Sequence, residues 1–437
     1  MSRARCFGLT LRSTFRRKFR KAPHHWGLLV PLLALALTDA RAQTPARITL
    51  DQAIQMALEH NHALRATRTQ IQQNQAQEIT AAIRPNPVFS FNSLFIPVTA
   101  ATAENFNAVS EFDVGVGYTF ERGRKRQHRI EAAKDQTTVT QSQVADAERG
   151  IAFNVSQQFV NALLAKSNVE LATQDLDSFQ QTVNIAQYQY KAGQIGEGDL
   201  LKIQLQLLQF QTDKSQAELS RVQALAALRQ LVGYDSVPAD YDVEGQLEYQ
   251  PLSVGLPDLQ AKALATRPDL RAAQQGVTVA RSQYQLAVAN GKRDFNGTFE
   301  YSHVSGLNTG DLLFSMEIPI FDRNQGEIAR TRYAIAQFDE TAREAEETAL
   351  TDVRNAYEAQ QTNQKIVQLY VNGYLKQSQD SRDISSYAYQ RGAASLLDFL
   401  DAERSFRATQ LGYRQALAAY MISLEQLREA AGTRNLP

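Results

Sequence analysis

Two hydrophobic patterns follow one another along this chain, and the succession occurs twice. After Asp51, placed as an N-cap or first-turn acid, Ala53, Ile54, Ala57, Leu58 and Leu64 fall at helical spacing. Pro85-Asn86-Pro87 ends this helix and the period drops from 3.6 to 2. Phe89 and Phe91 alternate with Ser90 and Asn92, and Val114, Val116, Tyr118 and Phe120 alternate with Gly115, Gly117 and Thr119. Long helical stretches then cover 122–191 and 198–231. In the second half a helix ends at Gly291, Phe295, Phe299 and Tyr301 alternate with Asn296, Thr298 and Glu300, and Leu312, Phe314, Met316, Ile318 and Ile320 alternate with Ser315 and Glu317. Helical stretches over 324–390 and 395–431 close the chain. The pattern predicts four strands of about ten residues, each with one apolar, aromatic face and one polar face.

Residue identity shows the same duplication. Ala57-Leu58 and Leu64-Arg65-Ala66 return 206 positions later as Ala263-Leu264 and Leu270-Arg271-Ala272. A shift of 199 aligns Tyr188–Gly233 with Tyr387–Gly432 at twelve identities in 46, among them Tyr190/Tyr389, Gly193/Gly392, Asp199/Asp398 and Gly233/Gly432. Chance gives about three, so the chain reads as two repeats. The first covers 43–250, with a β-hairpin at about 86–120 and a helical hairpin at about 122–233; the second covers 251–437, with a hairpin at about 294–320 and a helical hairpin at about 324–432. The segment from Tyr234 to Pro257, which holds Pro238, Pro251 and Pro257, reads as the linker. No proline occurs from Val98 to Val237 or from Ile320 to Leu436, which suits very long helices.

The first 42 residues change the charge picture. Eight Lys and Arg lie between Arg3 and Lys21 without an acid, an apolar run follows from Trp26 to Leu37, and Ala40-Arg41-Ala42 supplies small residues for cleavage. This is a secretory signal peptide, with Gln43 the expected new N-terminus. Arg16-Arg17-Lys18-Phe19-Arg20-Lys21 partly resembles a twin-arginine signal but reads better as a long basic leader for the general export route. Cleavage removes nine of the 46 Lys and Arg and one of the 46 acids, leaving 37 against 45, a net charge of −8. An acidic exported protein does not suit nucleic acid, which needs a basic surface. The only cysteine, Cys6, precedes the apolar run, which excludes disulfides, thiol catalysis and a lipoprotein cysteine at the cleavage site.

Two soluble hairpins on a core would show the same strand pattern, but export favours a membrane reading. Strands of 9–11 residues with this alternation are what a bilayer-spanning barrel requires, because every backbone N–H and C=O must be paired in a closed sheet. About eight strands are the practical minimum for closure, so several chains must contribute. A 40-residue helix is ~60 Å long, twice the hydrocarbon thickness. Its narrow apolar stripes, Val155, Phe159 and Leu163 or Leu396, Phe399 and Leu400, suit coiled-coil packing. The expected fold is mainly α with membrane β.

Ala57-Leu58-Glu59-His60-Asn61, Arg84-Pro85-Asn86-Pro87, Phe120-Glu121-Arg122-Gly123-Arg124-Lys125-Arg126, Arg267-Pro268-Asp269-Leu270 and Phe321-Asp322-Arg323-Asn324-Gln325-Gly326 resemble the TolC family of outer-membrane efflux channels over essentially the whole mature chain. The second, third and fifth look most like its CzcC-type branch, associated with heavy-metal cation export. The resemblance implies a homotrimer with a 12-stranded barrel in outer-membrane lipid and a helical barrel in the periplasm. It further implies docking through a periplasmic adaptor onto an inner-membrane RND-type pump. The helical tips, which the family uses for closure and adaptor docking, map to Gly193 and Gly392. Asp398 and Asp401 match aspartates that ring the constriction, and Tyr389 with Asp199 matches a gate hydrogen-bond pair. This chain has Ala394 and Gly198 where TolC has an Arg and a Thr, so the corresponding Arg link cannot form.

Independently of the resemblance, Asp398 and Asp401 stand i, i+3 on one helix face, so a trimer would place six carboxylates around one axis. Capping is the alternative for Asp199 and Asp398, since each lies near a helix start. The run Arg122, Arg124, Lys125, Arg126 and Arg129 directly follows a strand, where it would meet lipid phosphates at the membrane edge rather than nucleic acid. His60 and His62 diverge on a helix, and with His128 and His303 they are too scattered for a metal site. Gly115-Val116-Gly117 lies within a strand, not at a phosphate-binding turn, and nothing points to an enzyme or a cofactor. Two alternatives remain to a metal-cation duct: a duct of the same kind for organic molecules or secreted proteins, and a periplasmic coiled-coil adaptor or structural protein.

Overall fold

The computed structural model describes residues 46–99, 102–252 and 254–435. The signal peptide expected over 1–42 and the cut before Gln43 lie outside them. In the first repeat the order is β1 (Arg47–Ile48), α1 (Leu50–His60), α2 (His62–Ala82), β2 (Val88–Leu94), α3 (Ala103–Val109), β3 (Glu111–Phe120), α4 (Lys125–Lys191) and α5 (Glu197–Val232). The second has β4 (Asp242–Val243), α6 (Leu256–Thr266), α7 (Pro268–Asn290), β5 (Phe295–Val304), β6 (Leu307–Met316), α8 (Gln325–Leu369), a π-helical turn (Tyr370–Tyr374), α9 (Leu375–Gln390) and α10 (Leu396–Ala430). At 67 residues α4 is about 100 Å long.

Each repeat opens on two helices where the periodicity predicts one. Thr49, not Asp51, caps α1: it exchanges hydrogen bonds with Gln52, and Asp51 sits in the first turn. The break falls at Asn61, whose Oδ1 accepts from the Leu64 N–H at 3.0 Å while Nδ2 donates to the Leu231 carbonyl at 2.9 Å. Arg267 is its counterpart, held extended before Pro268, which cannot donate and starts α7 instead. The apolar spacing continues across both breaks, so periodicity alone does not reveal them.

The expected linker is packed structure. β4 pairs parallel with β1 in the register Ile48↔Val243, and Val237, Tyr241 and Val243 are buried against Ile54, Phe159, Leu228 and Val232. The stripe Val155, Phe159 and Leu163 lies in this same core.

Strands β2-β3-β5-β6 form one antiparallel sheet with β2 and β6 at its open edges. Register places Phe89, Val116, Phe299 and Leu312 in one row across it, and Ser90, Gly115, Glu300 and Asp311 in the next. The apolar face is uncovered in the single chain, with Phe314 73% exposed. Ser305 and Gly306, both at positive φ, close the two-residue turn between β5 and β6. Two strands differ from expectation. β2 has seven residues, and β6 stops at Met316 because its partner Phe295 is where β5 begins, leaving Ile318 and Ile320 past its end.

The repeats also differ in their long helices. α4 is unbroken, whereas the second repeat inserts the π-helical turn. There Tyr370 packs over Gly412 of α10, where a Cβ would meet its hydroxyl at 2.6 Å, and its ring lies 6.0 Å from that of Tyr413.

Candidate functional site

The two helical tips are built alike. At the first, Gly193 adopts φ +72° and α4 ends through Gly193 N–H to Tyr190 C=O (2.9 Å) and Gln194 N–H to Gln189 C=O (2.8 Å). Gly392, at φ +73°, ends α9 through the same pair of bonds, to Tyr389 (3.0 Å) and Ala388 (2.8 Å). Only glycine takes this left-handed conformation without strain, which explains why it recurs at the shift of 199.

The helix starts beyond the two glycines differ. Gly196 begins α5 with no side-chain cap, whereas Ser395 forms a capping box with Asp398. The Ser395 hydroxyl donates to Asp398 Oδ2 at 2.7 Å and accepts from the Asp398 N–H at 3.2 Å. The hydroxyl's bond to Oδ2, with a second from the Ser395 N–H at 3.2 Å, holds the Asp398 carboxyl below its ordinary range. Such a depressed group stabilises the fold above its unfolded value of 3.8 and loses that contribution as pH falls through the folded value. Replacing Ser395 by alanine is expected to cost about 1 kcal/mol of local stability. Hydrogen exchange at Leu396–Phe399 would show it; unchanged protection at neutral pH would refute the cap.

The remaining tip acids have local partners. Asp401 pairs with Arg404 at 3.4 Å and Asp199 with Lys202 at 3.3 Å, all four side chains exposed. The Tyr389–Asp199 hydrogen bond implied by the resemblance is not made. The Tyr389 ring stacks on Phe399 at 5.4 Å, and its hydroxyl is buried without a hydrogen-bond partner among the described residues. Burial, then the Asp199 charge, pushes that hydroxyl's pKa up. Tyr389 packs with Phe179, Val183, Ile203, Phe210, Leu396 and Phe399 in an apolar cluster joining the two hairpins.

Sequence reasoning missed two features. Arg407 on α10 reaches Asp175 of α4 at 3.3 Å, pairs with Asp213 of α5 and lies 4.1 Å over the Phe210 ring. No local signal marks it, because Asp175 is 232 positions away. The other feature is the polar face of the sheet. Glu111, Asp113, Glu300 and Asp311 all fall on it, and the strands β2, β3, β5 and β6 contain no Lys or Arg. Glu300 stands directly opposite Asp311, an arrangement that is destabilising by itself. Asp113 is 5% exposed with an unpaired Oδ1. Its signal was legible: these four are the only Asp, Glu, Lys or Arg residues within the four strands.

His60 and His62 do not share a helix, since Asn61 separates α1 from α2; they line one cavity of about 580 Å³ beside Met56 and Glu59. Among the described residues no group of three His, Cys, Asp or Glu can hold a metal ion, and no helix is long and apolar enough to cross a membrane.

The family model for outer membrane efflux proteins matches residues 53–234 and 259–433, one segment per repeat. The chain belongs to this family. It is an efflux protein of the outer membrane that extends into the periplasm. Among its relatives, the cobalt-zinc-cadmium resistance protein CzcC of Cupriavidus metallidurans is 26% identical over 381 residues, covering 84% of this chain and 85% of CzcC. The cation efflux system protein CusC of Escherichia coli O157:H7 is 25% identical over 382 residues, covering 82% and 80%. A crystal structure of CusC superimposes with a TM-score of 0.74 at 22% identity, over 88% of this efflux protein and 92% of that chain, and shares its fold.

Proposed function

We propose that this efflux protein is the exit duct of a tripartite system for heavy-metal cations. It works as a homotrimer, coupled through a periplasmic adaptor to an inner-membrane RND-type pump, with no chemistry of its own. The observation that carries the reading is the polar face of the sheet, where four carboxylates meet no Lys or Arg among the described residues. The open edges at β2 and β6 favour closure by other copies, because a barrel of four strands cannot form and unpaired edges are untenable in lipid. The apolar row, Phe89 to Leu312, then faces lipid and the acidic row faces the lumen, where a ring of carboxylates attracts cations and repels anions. The similarity to CzcC and CusC supports metal cations as cargo.

In a planar bilayer the mature protein is expected to give discrete cation-selective openings. Changing Asp113→Asn, Glu300→Gln and Asp311→Asn together should lower the cation-to-anion permeability ratio several-fold. Asp398→Lys with Asp401→Lys tests the tip ring in the same assay. A triple variant as selective as the parent would remove the lumen role of the sheet. The cargo is tested by deleting the gene: lost tolerance to cobalt, zinc or cadmium supports metal export, whereas sensitivity to dyes and detergents alone would point to organic cargo.

A further inference from the structure

The junctions between sheet and helices differ between the repeats in a way the shared fold does not require. Arg124 and Asn324 are equivalent: each precedes a long helix, in left-handed backbone at φ 57° and 62°, and neither gives its helix a side-chain cap. In the second repeat the charges close on themselves. Asp322 accepts from the Asn324 N–H at 2.8 Å and pairs with Arg293 at 3.3 Å, and Arg293 also reaches Glu317 at 3.2 Å. The first repeat has Arg122 and Arg124 where the second has Asp322 and Asn324. There Lys125 is neutralised by Asp294 at 2.8 Å and Arg129 by Glu121, but the guanidinium groups of Arg84 and Arg124 have no hydrogen bond or ion pair with any described residue. Arg122 points a guanidinium N–H at the Met316 sulfur, 3.5 Å away.

Arg84, Tyr118, Phe120, Arg124, Lys125 and Arg126 line one cavity of about 300 Å³ together with Glu121, whose carboxylate is held by Arg129. Tyr118 and Phe120 belong to the apolar face of β3, and Phe120 stacks on Phe295 at 4.7 Å. Aromatic rings at a strand end followed at once by guanidinium groups reproduce the chemistry of a bilayer edge, with acyl glycerol on one side and phosphate on the other. We infer that this cavity binds the phosphate of an anionic glycerophospholipid from the periplasmic leaflet of the outer membrane, with Arg84 and Arg124 as its cationic ligands. The inference rests on the membrane-spanning reading of the sheet. A bound phosphate supplies the acceptor that the second repeat obtains from Asp322, and it would seat each copy at a fixed depth.

The test uses the full mature protein in non-ionic detergent, with dioctanoyl phosphatidylglycerol as probe and two readouts, lipid retention by native mass spectrometry and the rise in unfolding temperature. Arg84→Gln with Arg124→Gln should weaken binding roughly 25-fold, about 5-fold per arginine. Arg84→Gln alone, at an exposed side chain without a partner, leaves the fold intact and should show the 5-fold loss by itself. Arg323→Gln in the second repeat should bind as the parent does. Equal binding by parent and double variant would overturn the site, as would equal loss in the Arg323 variant. An equal effect of inorganic phosphate at the same concentration would make it a free-anion site and overturn the lipid assignment. The same preparations go into planar bilayers: a protein that conducts but ignores the lipid refutes this inference alone, whereas one that never conducts refutes the duct.

Discussion

Arg407→Met is expected to destabilise the tip-proximal end of the helical hairpins by about 3–5 kcal/mol, the usual cost of removing one partner from a buried ion pair. The Arg407 side chain is 14% exposed and Asp175 10%, so little water is available to replace the lost charge. The substitution also removes the cation over the Phe210 ring and frees Asp213. Burial already pushes the Asp175 carboxyl up, against the pull of Arg407, Arg414 and Arg382, and without Arg407 it rises further. A carboxyl raised in the folded state favours folding when protonated, and that contribution is lost as pH rises through the folded pKa. The variant's deficit should therefore be largest at neutral and alkaline pH and shrink under acid. Urea unfolding followed by helical circular dichroism at several pH values measures it. A deficit that does not change with pH would show that Arg407 acts through packing alone. Since Arg407 ties α10 to both α4 and α5, the same variant should open more readily in a bilayer.

The second large effect is expected at Arg267. Its guanidinium, 3% exposed, donates to both Asp269 oxygens at 3.0 and 2.5 Å, to Asp352 at 3.0 Å and to the Ala430 carbonyl at 3.3 Å. One side chain thus joins the α6–α7 break to α8 and α10. Arg267→Met should again cost about 3–5 kcal/mol, because a carbonyl and two carboxylates lose their donor together. Arg267→Lys should recover only part of this, since a lysine cannot span the Asp269 fork. Burial opposes ionisation of Asp269, but hydrogen bonding and charge from Arg267, with Arg149, hold its carboxyl below the ordinary range. That contribution is present above the unfolded value of 3.8 and disappears as pH falls through the folded value. Parent and variant should therefore converge in strong acid, opposite to ordinary packing mutants. Thermal midpoints between pH 3 and 7 would expose a gap that fails to close.

The candidate site was legible in part. Gly193 and Gly392 were found because a left-handed helix end needs glycine wherever the repeat places one. Asp398 was ambiguous between constriction and cap, and the structure shows the cap through Ser395, a contact within four residues. The Tyr389–Asp199 pair came from resemblance; in the single chain the Tyr389 ring stacks on Phe399 while Asp199 meets Lys202. The four strand acids stood in plain view, but their importance emerges only when register places Glu300 opposite Asp311.

By itself the sequence determined the two repeats, the order of helix, hairpin and helical hairpin in each, and the two faces of every strand. These are local properties, since a period of 2 or 3.6 is set by neighbouring residues and survives without knowledge of the rest of the chain. The break at Arg267 follows from Pro268, but the tertiary structure alone decided the break at Asn61, whose side chain bonds to Leu231 170 positions away. It alone decided which charges are neutralised, pairing Arg407 with Asp175 while leaving the Arg84 and Arg124 guanidinium groups without a partner among the described residues. An ion pair depends on distance and burial, and neither is a property of position along the chain.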